Sequence, residues 1–368
     1  MECTYQIPAS KPVSPVAALR NAYAFPGPGD VIIGWNPAYP FYNEVLDIVH
    51  AEGKRCWLWL PVFSELPAEF APVYSVGFNG KPQRGLSVMP GEDFRFACPS
   101  TPRNLNIAYE IYKRDFSRFP FDGVFLDKIR HASFAGGLTD GFGCFCASCR
   151  EAYAIRGVDL HETVKLIREN PAAFLPDSTD GAGIYHCADP LAEKFFAAKA
   201  DIITVAVAGL SARFQKRGLQ VGLDVFAPLL AYFTGQDIPR LSKHAAFVKP
   251  MFYRITRAPA GLPFELDGMR ESFLPCGADA AEILRRLWRS GDLCSAECMG
   301  AQLKSLISEC PARQKFRPGF EIVHIPGICE SNPAYIRETA SLLENSGISD
   351  AVLCWDLLSA FNAPFALS

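Results

Sequence analysis

The chain has 368 residues, of which 49% are hydrophobic and 20% charged, and a formal net charge of -3; these values exclude a disordered chain and a basic, polyanion-binding face. No apolar run approaches the roughly 18 residues of a membrane span, and the start Met1-Glu2-Cys3-Thr4 has no basic-then-apolar leader. A cytoplasmic protein with no membrane or nucleic-acid partner is therefore expected, and its thirteen scattered cysteines read as core thiols and metal ligands, not as a disulfide framework.

Taken in chain order, apolar runs of strand length fall at Cys3–Ile7, Val31–Trp35, Cys56–Val62, Gly123–Asp127, Val221–Ala227, Phe247–Tyr253, Glu321–Ile328 and Ala351–Leu357. Helical patterns stand between them at Phe41–Glu52, Leu105–Ser117, Pro190–Lys216, Ala280–Glu309 and Pro333–Asn345. The runs are nearly continuous, as strands covered on both faces require, and the strand-then-helix rhythm predicts a parallel sheet. Eight such runs predict an α/β fold, a single (β/α)8 TIM barrel over residues 1–368, with a doubly wound open sheet as the alternative. No Gly-x-Gly-x-x-Gly follows the first run and no Walker motif occurs, which argues against an open-sheet nucleotide binder. Two connections are too long for ordinary loops: residues 63–102 after the third strand and 130–189 after the fourth. Both leave the C-terminal ends of strands, where barrel enzymes build their sites, and long insertions there are usually functional.

The second insertion contains Gly143-Cys144-Phe145-Cys146-Ala147-Ser148-Cys149. Three thiols within six residues can close on one tetrahedral ion, and zinc needs a fourth ligand. The first insertion contains Cys98-Pro99-Ser100-Thr101-Pro102. With Cys-x-Cys-x-x-Cys after strand four and Cys-Pro-x-x-Pro after strand three, the chain resembles the zinc-containing microbial β-galactosidases (glycoside hydrolase family 42) over roughly Cys98 to Tyr153. The resemblance implies that Cys98, Cys144, Cys146 and Cys149 bind a structural Zn2+, with Cys187 and His186 as reserve ligands. Cys56, Cys329 and Cys354 read as core residues.

Strand four, Phe121-Asp122-Gly123-Val124-Phe125-Leu126-Asp127, ends in a carboxylate, and strand five, Val221-Gly222-Leu223-Asp224-Val225-Phe226, carries another inside an apolar run. Burying such groups is costly unless they are paired or used. Strand six holds Lys249 and Tyr253, strand eight ends at Trp355-Asp356, and Glu330 follows strand seven. In a barrel these positions converge on one mouth. Glycoside hydrolysis needs two carboxyl groups flanking the scissile bond, so Asp127, Asp224 and Glu330 are the catalytic candidates. Trp35, Trp59, Arg130, His131, Lys249, Tyr253, Trp355 and Asp356 are the substrate-binding candidates, the aromatic ones as stacking faces for sugar rings. Each has a structural alternative: Asp127 paired with Arg130 or Lys249, Asp224 with its neighbours, and His131 and His324 as packing residues. Asp122 reads as a strand-entry residue.

These strands also resemble a group of bacterial barrel proteins classed as glycoside hydrolases, with Asp-Gly-x-x-x-Asp on strand four, Asp-Val-Phe on strand five and Pro-Met-x-Tyr on strand six. That likeness supports Asp127 and Asp224 as site residues. The Asn-Glu pair that carries the general acid of the zinc β-galactosidases has no counterpart in Asp127-Lys128-Ile129-Arg130-His131; Glu330 is the candidate counterpart of their nucleophile. The expectation is a glycosidase acting on a small carbohydrate or oligosaccharide, in a chain compatible with a homo-oligomer. The cations Lys128, Arg130, His131, Lys249, Arg254 and Arg257 suggest an acidic sugar, although alternation along strand four places Lys128 on the face opposite Asp127. The competing readings are a sugar lyase, isomerase or aldolase using Lys249 as base or Schiff-base amine, and a catalytically inactive glycan-binding barrel.

Overall fold

In the computed structural model, which describes residues 1–10, 12–24, 27–88, 93–310 and 315–360, eight parallel strands close into a barrel. They are β1 (Glu2–Pro8), β2 (Val31–Gly34), β3 (Cys56–Pro61), β4 (Gly123–Asp127), β5 (Gln220–Phe226), β6 (Phe247–Met251), β7 (Gly319–Glu321) and β8 (Asp350–Cys354). Each strand pairs with its neighbour in chain order, and β8 returns to β1 with Cys3 opposite Ala351. Closure leaves the sheet no open edge.

The barrel interior is filled by side chains. Phe125 and Phe247 stack at 5.7 Å and 10°. Gly222 makes that possible, since a β-carbon there would lie 2.5 Å from the Phe247 ring and 2.9 Å from Phe125. Gly319 does the same for Lys249, whose Cε would stand 2.3 Å from an added β-carbon. At the N-terminal end, Asp30 accepts hydrogen bonds from Arg55 and Arg317, both at 2.8 Å, and closes the barrel floor. Asp122 accepts from the Cys56 amide at 2.7 Å and contacts His50 at 2.9 Å, which makes it the strand-entry residue that its position suggested.

Most helices stand where the patterns put them, and their starts are chemically marked. Asp189 caps the helix Pro190–Gln215 by accepting from Leu191 N at 2.8 Å, and Asn332 caps Pro333–Asn345 by accepting from Tyr335 N at 3.0 Å. In both, proline occupies the first turn, where its missing N–H costs nothing. The stretch Ala280–Glu309 is two helices, Ala280–Trp288 and Ala296–Glu309, because Arg289 turns left-handed (φ 50°) and Ser295 starts a new cap. The helices Val16–Ala24 and Leu262–Phe273 were not foreseen.

Two expectations are corrected. The seventh run does not form one strand over Glu321–Ile328: the barrel strand is Gly319–Glu321, and the chain then folds into a small antiparallel hairpin, His324–Ile325 with Cys329–Glu330. Nor is the chain free of span-length apolar segments, because the 26-residue helix Pro190–Gln215 is long and apolar enough to cross a membrane by length and composition. Here 61% of its apolar window is buried inside the fold, with Phe195, Phe196, Ile203, Val207 and Phe214 among the covered side chains. Side chains of this size contribute roughly 1.5–3 kcal/mol each on burial.

Candidate active site

The strands deliver their C-terminal ends to an open cavity of about 660 Å³. Trp35 follows β2, Trp59 lies on β3, Asp127 ends β4, Asp224 lies on β5, and Tyr253 and Trp355 follow β6 and β8; all line this cavity. Trp35 meets Trp59 edge-on at 4.8 Å on one side, and Tyr253 meets Trp355 at 5.8 Å on the other. Arg130 and Asp356 complete the sequence candidates found in the lining.

The carboxylates are set by register. Leu126 pairs with Leu223, so the next residues, Asp127 and Asp224, stand level on adjacent strands, which lie roughly 4.8 Å apart. Their surroundings differ. Asp127 is 8% exposed and accepts from Trp59 Nε1 at 3.0 Å and from the Lys128 amide. Asp224 is 2% exposed; its Oδ2 accepts from Lys249 Nζ at 3.0 Å, and its Oδ1 has no hydrogen-bond partner among the described residues. Burial pushes the Asp224 carboxyl up to about 7 against the pull of Lys249, and the nearby Asp127 charge adds to the rise.

Lys249 lies beneath the cavity, fully buried, and donates to Asp224 Oδ2, to Tyr253 Oη at 2.8 Å and to Gln6 Oε1 at 3.3 Å. Burial disfavours its charge, but the Asp224 carboxylate more than offsets this and holds the ammonium above its ordinary range. Arg130 is sandwiched between Phe96 at 4.5 Å and Phe226 at 4.2 Å and donates to the His131 carbonyl at 3.0 Å; burial lowers it from the usual arginine range.

Besides Lys249, two candidates fall outside the cavity lining. His131 is buried with neither ring nitrogen partnered among the described residues, and burial together with the Lys199 charge pushes it well below the ordinary histidine range, so it is a packing residue. Glu330 is exposed on the hairpin and accepts from the Gly327 amide at 2.9 Å. The hairpin displaces it because the barrel strand ends nine residues earlier, at Glu321.

The structure adds residues that the sequence reading passed over. Glu65, Phe94 and Thr256 line the cavity, and so does Lys128, which the strand alternation placed on the other face. Lys128 has φ 55°; this left-handed turn breaks the two-residue period. Glu321 is wholly buried and accepts from the Ile255 and Thr256 amides at 3.0 and 3.2 Å, from Thr256 Oγ1 at 3.0 Å, and from Tyr335 Oη. It anchors the turn that carries Thr256. A carboxylate inside the apolar run Gly-Phe-Glu-Ile-Val was the available signal.

The four cysteines come together. The sulfurs of Cys98, Cys144, Cys146 and Cys149 all lie within 4.8 Å of one another, with Cys98 at 3.4 Å from Cys146 and 3.3 Å from Cys149. Tetrahedral zinc with Zn–S bonds of roughly 2.3 Å would hold its sulfurs about 3.8 Å apart, so the donor set fits that ion. The Val76 amide points at Cys144 Sγ at 3.5 Å. Cys187 and His186 are engaged elsewhere, with the Phe174 carbonyl and with Glu193. A larger groove of about 1000 Å³ lies beside Cys146, but its one carboxylate, Asp159, is occupied in capping the helix Leu160–Glu169.

No protein-family model matches the chain, and no curated protein matches it significantly. Among solved structures it is similar to the PgaB (BpsB) glycoside hydrolase domain from Bordetella bronchiseptica, with a TM-score of 0.61 and 14% identity, covering 98% of this chain and 96% of that one. It also matches a chitinase from Chromobacterium violaceum (TM-score 0.48, 10% identity, 100% and 98% covered). A class V chitinase from Pseudomonas fluorescens gives a TM-score of 0.48 at 9% identity, with 99% and 97% covered. At these identities the likeness to the Bordetella domain shows the barrel fold. None of these three is a zinc β-galactosidase, and the likeness to that family stays with the cysteine spacing.

Proposed function

We infer that the chain is a glycoside hydrolase whose working pair is Asp127 and Asp224. One observation carries this reading: two carboxylates of unlike environment stand level on adjacent strands in a single open cavity faced by five aromatic rings. Glycoside hydrolysis uses one protonated and one ionised carboxyl group, and unlike surroundings are how a site separates the two roles. Asp224, raised by burial and with Oδ1 unpartnered among the described residues, is the general acid. Asp127, which accepts from two N–H donors, is the partner that acts as base or nucleophile. The similarity to the Bordetella domain, named a glycoside hydrolase, agrees with this.

Schiff-base chemistry is disfavoured because Lys249 is not a lone amine in an apolar pocket: three acceptors surround its ammonium. Of the six cations that suggested an acidic sugar, Lys128 pairs with Glu65 and Arg254 with Glu338, Lys249 lies beneath the cavity among three acceptors, His131 is a buried packing residue, Arg257 is outside the lining, and Arg130 lies between the Phe96 and Phe226 rings. The lining therefore favours a neutral glycan. Turnover of a panel of paired neutral and acidic aryl glycosides tests both statements. Release of aryl alcohol from at least one neutral glycoside is expected. Turnover of the acidic partners alone overturns the neutral assignment, and binding without turnover anywhere favours an inactive glycan-binding barrel.

The cysteine cluster reads as a structural zinc site. Cys98 comes from the first insertion and the other three from the second, so the ion would tie both insertions together. Four thiolates leave no open coordination position, so its role is to hold shape.

A further inference from the structure

At the rim of the cavity, Glu65 and Lys128 face each other as an ion pair with side chains 14% and 7% exposed. Both residues have left-handed backbones, φ 53° and 55°. Non-glycine residues reach that region at a cost, and such conformations gather at functional sites. A pair needed only for charge balance requires neither turn. The turn at Lys128 has two effects. It directs the residue's own amide to Asp127 Oδ1, and it swings the ammonium from the helix layer into the cavity, 5.3 Å from the Trp35 ring centre and 4.4 Å from that of Phe94. Glu65 reaches the same place because β3 runs on past its end, with Val62 and Phe63 donating to the Asp127 and Lys128 carbonyls.

The pair keeps hydrogen-bonding capacity to spare. Among the described residues, Lys128 Nζ makes one hydrogen bond, to Glu65 Oε2, although an ammonium has three donors. Oε1 of Glu65 accepts none there. A sugar hydroxyl both donates and accepts, so two adjacent hydroxyls can accept from Lys128 and donate to Glu65 while the apolar ring face lies against Trp35. A sugar carboxylate would meet Glu65 at close range.

We propose that Glu65 and Lys128 form the sugar-recognition dyad of the cavity, reading an adjacent pair of hydroxyls on a neutral pyranose stacked on Trp35. This rests on the glycoside hydrolase reading for its substrate class. The test uses neutral p-nitrophenyl glycosides that differ only in the configuration of one hydroxyl, with the full chain and its Glu65→Gln and Lys128→Met variants. Turnover and quenching of tryptophan fluorescence are read in parallel, with melting temperature as the folding control. Both variants should raise KM at least about tenfold and lose more in KM than in kcat. The preference between epimers should fall at least about tenfold. An unchanged KM and epimer ratio, or an equal loss on all epimers accompanied by a lower melting temperature, overturns the dyad while leaving the hydrolase reading intact. Quenching by these glycosides that weakens in Lys128→Met, with no turnover by any form, supports the dyad and sinks the hydrolase reading. Neither quenching nor turnover overturns both.

Discussion

Asp224 carries a buried carboxyl raised to about 7 while bonded to a lysine. As general acid it must be protonated, so kcat/KM should fall as pH rises through about 7. The Lys249 ammonium pulls Asp224 downward; Lys249→Met removes that pull and should move the alkaline limb to higher pH. A limb that stays in place, with melting otherwise preserved, would remove Asp224 from the acid role. The two aspartates were legible in the sequence because a carboxylate in an apolar strand needs a partner or a task. Lys128 was not, because alternation assumes an extended backbone and φ 55° departs from it. Glu330 was misplaced for a related reason: β7 and the hairpin that follows read as one apolar run, although the chain reverses inside it.

At the scale of elements, the insertion after β3 supplies Glu65 and Phe94 to the cavity lining, and the insertion after β4 begins with Arg130 there. Cys98 lies two residues beyond Phe96, whose ring covers the Arg130 guanidinium, and Ser64 bridges to Phe96. A metal held by the thiol cluster would fasten the segment that carries Phe96. Metal analysis of reduced protein should find about one zinc per chain, and Cys146→Ser should lower both zinc content and melting temperature, since structural zinc contributes to folding. A stoichiometry near zero would refute the zinc assignment. The three close thiols were visible from spacing, and the fourth came only through resemblance; neither gave the distances, which depend on how two remote loops fold against each other.

For the whole molecule, eight apolar runs with helices between them were enough to predict a closed barrel, because doubly covered strands are nearly continuous in apolar residues. Position in the barrel then told which ends face the site. What stayed hidden is local: the split of Ala280–Glu309 at Arg289, the two-residue hairpin strands, and the cavity roles of Glu65 and Phe94 in an insertion without periodicity. The central claim is that Asp127, presented by β4 beside Asp224, performs the chemistry. Its most direct test is kcat on the best neutral aryl glycoside for the wild-type chain and Asp127→Asn, a change that keeps size and removes charge. The account predicts a fall of at least about 100-fold, the scale of general acid–base catalysis, with melting temperature little changed; wild-type kcat in Asp127→Asn would contradict it.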